Sequence, residues 1–133
     1  MKEVLAGMHA ALSQDASLVS LLGDASKVRR ARQGREVEPP CVTLEVLSEK
    51  RFVEGTDRIR EAEARVSAWA SEDRSCSDIC EAVIAALDEA DLSDEAIHCC
   101  ACAWDGIGGE PRYDDRAEGY KRELSFKVIY RIK

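Results

Sequence analysis

The sequence predicts an α+β domain: a largely antiparallel sheet of four to five strands with helices packed on one face. Three observations carry this. The chain closes on a two-residue alternation in which Leu124, Phe126, Val128, Tyr130 and Ile132 share one face and Ser125, Lys127, Ile129 and Arg131 the other. A second alternation, Val42, Leu44 and Val46 against Thr43 and Glu45, starts directly behind Pro39 and Pro40. The periodicities run helix, helix, weak strand, strand, strand, helix, strand, strand.

The elements follow in order. Val4, Leu5, Met8, Ala11 and Leu12 recur at helical spacing and predict a helix over 2–14. Asp15 reads as the N-cap of a second short helix, Ala16 to Leu22, which Gly23 ends. Val28 to Gln33 predicts a short, charged strand. Cys41 to Ser48 is a better one. Its two prolines stand just before it, where a missing N–H costs no ladder bond, and Pro40 restricts Pro39 to an extended backbone. Residues 49–58 form a charged connection with Gly55 near its middle. Over 59–71 two patterns compete: Ile59, Ala62, Val66 and Trp69 fit a helical stripe, while Ala62, Ala64, Val66, Ala68 and Ala70 fit a strand equally well. Propensity alone leans towards helix. Ser75 with Asp78 predicts a helix start of capping-box type, and the helix runs to about Ala90 on a stripe of Ile79, Val83, Ala86 and Leu87. Ile97 to Trp104 alternates as a strand, and 105–118 is turn-rich and charged.

Length predicts one domain over 1–133. No apolar run approaches the ~18 residues of a membrane span, and no secretory leader is legible at the start, so the expected place of synthesis is a cytosol. The net charge of −7 argues against general affinity for nucleic acid. That charge is uneven. Lys27, Arg29, Arg30, Arg32 and Arg35 stand between Ser26 and Glu36 with no acid among them, and setting them aside leaves −12 on the rest. Such a stripe meets an acidic face of a neighbouring subunit, contacts phosphate, or only keeps an edge strand from aggregating.

The six cysteines are the strongest lure towards chemistry. Cys76 and Cys80 lie four apart on a helix, and His98, Cys100 and Cys102 fall on one face of a strand at spacing two. Zinc takes four ligands of these types. There is no CxxC knuckle, however, and Cys76 and Cys80 fall beside the Ile79/Val83/Leu87 stripe, where cysteine packs as a small hydrophobe. No metal ligand set, cofactor or catalytic residue is therefore expected. His9 and His98 have no motif around them, and Gly106 to Gly109 leads to Glu110 and Pro111 instead of a lysine-bearing helix, so it reads as a turn and not a phosphate loop.

Asp15, Ala16, Leu18, Leu21, Leu22 and Gly23, followed by a short strand, the Pro39–Pro40 pair opening the next, a strand ending at Trp69, a helix of the type EAVIAALDEA and a closing alternating strand, resemble the small tail-completion proteins of long-tailed phages, also called tail terminators or head-to-tail joining proteins. The resemblance covers essentially the whole chain and favours a strand over 59–71. Two departures stand out: Cys41 where the family has an aromatic residue, and the cluster Cys99, Cys100 and Cys102. The resemblance implies a structural virion protein with no enzymatic activity. It implies a homohexameric ring at the neck, the head-proximal end of the tail, assembled in the host cytoplasm. The ring caps the tail tube and joins it to the head–tail connector or stopper protein, and DNA passes through without being read. On that reading Arg29, Arg30, Arg32 and Arg35 meet the next subunit. The loop carrying Phe52, Val53 and Gly55 meets the tail tube or connector, projected at an angle set by the double proline. The alternative is a small cytosolic cysteine-rich metal-binding or redox protein.

Overall fold

The computed structural model describes residues 2–31, 38–52, 58–106 and 110–133. Its elements are α1 (Lys2–Ser13), α2 (Ala16–Leu22), one 3-10 turn (Ala25–Lys27), β1 (Val28–Arg30), β2 (Cys41–Arg51), β3 (Ile59–Ala70), α3 (Asp73–Leu87), β4 (Ile97–Trp104), β5 (Arg112–Asp114) and β6 (Gly119–Ile132). The fold is α+β, with a six-stranded sheet in the order β1-β2-β3-β6-β4; β5 also pairs with β6. Among the described residues, every pairing is antiparallel except β1 with β2.

One face of this sheet forms the core. Val42 and Leu44 of β2, the row Ala62, Ala64, Val66, Ala68 and Ala70 of β3, and Leu124, Phe126, Val128 and Tyr130 of β6 pack with Val4, Met8 and Leu12 of α1, Leu18 and Leu22 of α2, and Ile79, Val83 and Leu87 of α3. The helices therefore lie on that face. The ambiguous 59–71 segment is a strand because it is central: β2 pairs along one side and β6 along the other, so tertiary hydrogen bonding overrides a helical composition. Its small side chains on the core face leave room for the larger ones of α3.

The caps around α2 behave as read. The Asp15 carboxylate accepts from the Leu18 N–H, and Gly23 ends the helix at φ 89°, a left-handed conformation that glycine adopts without penalty.

Several boundaries differ from the sequence reading. β2 runs on to Arg51, so residues 49–51 belong to a strand and not to a connection. The alternation breaks at a bulge between Val46 and Ser48, which turns Glu49 to the core face opposite Ala62. α3 starts two residues before Ser75, with Glu72 at the N-cap and no side-chain cap bond, so Ser75 and Asp78 form no capping box. It ends at Leu87, not Ala90, and Glu89 turns into the left-handed region at φ 63°. The turn-rich stretch contains β5, and β6 begins at Gly119, five residues before its hydrophobic alternation. β1 ends at Arg30; Arg32 and the rest of the predicted strand to Gln33 lie outside the described residues, as do Arg35, Val53 and Gly55.

Gly119 shows why that start is fixed. A Cβ there would meet the Ala70 carbonyl oxygen at 2.7 Å and Pro39 Cγ at 3.2 Å. The double proline, whose Pro39–Pro40 peptide is cis, therefore packs at the β6 origin. It does not aim the 49–58 segment, because β2 places roughly 35 Å of strand between Pro40 and Phe52.

Candidate assembly surfaces

The cysteines lead inward. Cys41, Cys76, Cys80, Cys99 and Cys102 are buried and unpaired, and Cys100 is exposed. The single-face arrangement of His98, Cys100 and Cys102 does not hold. A bulge between Cys99 and Ala101 inserts Cys100 into β4, so Cys99 and Cys102 face the core while His98 and Cys100 face water. Burial pushes the Cys102 thiol up to about 12 and the Cys41 thiol up to about 11. The neighbouring Cys76 and its own burial both push the Cys80 thiol up. Neutral buried thiols of this kind pack as small hydrophobes. Among the described residues no group of three or more His, Cys, Asp or Glu side chains is placed to hold a metal ion.

What remains is surface. The face of the sheet opposite the helices carries an ion ladder of alternating sign across β2, β3 and β6. Arg65 reaches Glu45 at 3.2 Å and Glu123 at 3.5 Å, and Lys121 reaches Glu123 at 2.8 Å. Lys121 also stands 4.7 Å above the Trp69 ring. The bond from Lys121 is the main reason the Glu123 carboxyl lies below its usual range. Exposed pairs of this type stabilise little; their effect is to neutralise the face within one chain.

The described part of the basic stripe, Lys27 to Arg30, sits on the opposite kind of site, a sheet edge. β1 is an edge strand, with Arg30 exposed and Arg29 half-buried, its Nε donating to the Ser26 carbonyl at 3.1 Å. The outward Val28 carbonyl is bonded to His9 Nε2 at 3.0 Å. The far edge, β4, is closed more thoroughly. Trp104 N–H donates to Asp88, Cys99 N–H donates to Ser93 Oγ, and the Cys102 carbonyl accepts from Glu89 N–H. An edge capped in this way does not invite another strand.

The structure also assembles a second basic patch, invisible as a run in the sequence. Lys50 and Arg51 end β2, Arg58 precedes β3, and Arg131 and Lys133 end the chain. The register brings them to one end of the sheet: Phe52 N–H bonds Ile59 O at 2.9 Å, and Ile132 N–H bonds Arg58 O at 2.9 Å. Phe52 is 51% exposed there and Ile132 is 40% exposed. The signal was present only as cations flanking strand ends, which becomes meaningful once the strands are paired.

At the opposite end of the sheet lies a pocket of about 250 Å³ between α2, Pro40, the end of β3 and the start of α3. Leu21, Pro40, Ala70 and Ile79 line it with apolar atoms, and Glu72 and Asp78 give its rim negative charge.

No curated protein matches the sequence. Among solved structures, a chain described as "Virion of native gene transfer agent (GTA) particle" matches the fold with a TM-score of 0.69 and 20% sequence identity, covering 96% of this chain and 94% of that one. The family model described as Tail completion protein gp17 matches residues 6–131. This chain therefore belongs to the tail completion protein gp17 family, and it is a structural protein of a phage tail, not an enzyme.

Proposed function

We propose that copies of this chain form a six-membered ring at the neck that closes the finished tail tube and joins it to the head–tail connector or stopper protein. DNA passes through the ring without being read. The observation that carries this is the family match over 6–131 by a domain whose distinguishing features are patches of opposite charge at separate places on one surface. A net charge of −7 suits a channel that must not grip DNA.

In the ring, Arg29, Arg30, Arg32 and Arg35 meet an acidic face of the next copy, and Phe52, Val53 and Gly55 meet the tail tube or the connector. A heterologous contact between two different patches closes into a ring when its rotation permits. Replacing Arg30 and Arg32 with Glu is expected to leave a folded monomer that no longer closes rings or caps tails. Light scattering and images of assembled particles report this. Rings and joined particles from the reversed variant would reduce the stripe to a solvated edge.

A further inference from the structure

The two ends of the sheet are complementary in shape and in sign. At one end the pocket of about 250 Å³ is smaller than the ~300–1,000 Å³ usual for small-molecule sites, and it suits one bulky side chain better than a cofactor. Leu21 faces it while 44% exposed. Glu72, at its rim, stands at the N-cap of α3 without making a cap bond, so its carboxylate is not committed to its own helix. The acidic rim selects a partner that is apolar at its tip and cationic around it. The other end of this same chain has that composition: Phe52 among Lys50, Arg51, Arg58, Arg131 and Lys133.

A second pair of patches matches in the same sense. Beside the pocket end lies the basic β1 edge, since Val28 and Arg29 stand opposite Val42 and Thr43 at the start of β2. Beside the Phe52 end lies the exposed acidic segment carrying Asp91, Asp94 and Glu95, held there by the bond from Lys133 N–H to Ala96 O at 3.0 Å. Each end therefore presents one patch of each sign, and the two ends pair crosswise.

We propose that Phe52 of one copy seats in the Leu21/Pro40/Ala70/Ile79 pocket of the next, while Asp91, Asp94 and Glu95 of the first copy meet Lys27, Arg29 and Arg30 of the second. This rests on the ring reading above and deepens it by naming both partners in the subunit contact, and it moves Phe52 from the tail tube or connector to the next copy. β2 alone holds roughly 35 Å between the two ends, so a chain cannot fill its own pocket. The contact is head-to-tail and repeats from copy to copy until it closes. It also gives the double proline a purpose, because Pro40 is a wall of the pocket and Pro39 packs on the β6 origin behind it.

Directed cross-linking tests this. In a Cys100→Ser background, which removes the exposed thiol, Leu21→Cys and Phe52→Cys are made separately and together in the full chain at millimolar concentration, with oxidised glutathione as the oxidant. The two single variants mixed are expected to give a covalent dimer that neither gives alone, and the double variant a ladder of multimers on a non-reducing denaturing gel. Phe52→Glu, at an exposed position that leaves the fold intact by circular dichroism, is expected to weaken self-association at least about 10-fold. No Leu21–Phe52 cross-link, or Phe52→Glu assembling as the parent does, overturns the inference. If rings still form in that case and are lost on reversing Arg30 and Arg32, the ring reading stands and only the seating of Phe52 falls.

Discussion

Phe126→Ala is expected to cost about 3–5 kcal/mol of folding stability, the range for truncating a fully buried aromatic side chain. Phe126 is 0% exposed in the middle of β6. Its neighbours across the sheet are Ala64 on β3 and Trp104 on β4, with Leu124 and Val128 on the same face along its own strand. Ala64 has nothing to extend into the vacated space, and the backbone on both sides is held by ladder hydrogen bonds, so the cavity relaxes little. Against the ~5–15 kcal/mol of net stability typical of a domain, this is a large share. Urea unfolding reads it as a lowered midpoint at unchanged slope. A change near zero would mean that Leu124, Phe126 and Val128 face outward, and would invert the sheet.

Tyr130→Phe is the second large effect, and it arises at a polar spot in the core. The bulge in β2 turns Glu49 inward, where it accepts from the Tyr130 hydroxyl and lies 3.5 Å from Arg60. Burial by itself pushes the Glu49 carboxyl up. The donors and cations gathered around it, Tyr130 and Arg60 among them, carry it below the usual carboxylate range. Burial and then Glu49 push the Tyr130 hydroxyl up, so it stays a donor. Removing that hydroxyl leaves a largely buried carboxylate short of one charge-assisted bond, worth roughly 1.5–3 kcal/mol. The sign of the pH dependence follows. A depressed folded-state value means that Glu49 contributes stability above its ordinary value of about 4.3, and that this is lost as pH falls through the folded value. The parent should lose stability on acidification more steeply than Tyr130→Phe, and equal slopes would remove Tyr130 from the account.

The parts of the fold that were legible are those where local pattern and tertiary demand agree. The β6 alternation, the Asp15 and Gly23 caps and the apolar stripe of α3 all say in sequence what they do in space. β3 was read as a strand with the help of the resemblance, because its composition leans helical, and pairing on both sides makes it one. The failures have physical causes. The bulges at Leu47 and Cys100 shift side-chain parity by one, which turned Glu49 inward and split His98 and Cys100 from Cys102. The stripe at Lys27 to Arg35 was visible because it is contiguous. The patch at Lys50, Arg51, Arg58, Arg131 and Lys133 was not, because strand register alone collects it. The pocket at Leu21 and Ile79 was hidden for the same reason, its lining coming from three separate stretches of chain.

The proposed joining role is tested most directly by electron microscopy of particles assembled with this chain deleted and then restored. The account predicts filled heads and separate tails without the chain, and joined particles once it is supplied. Normally joined particles assembled in its absence would contradict it.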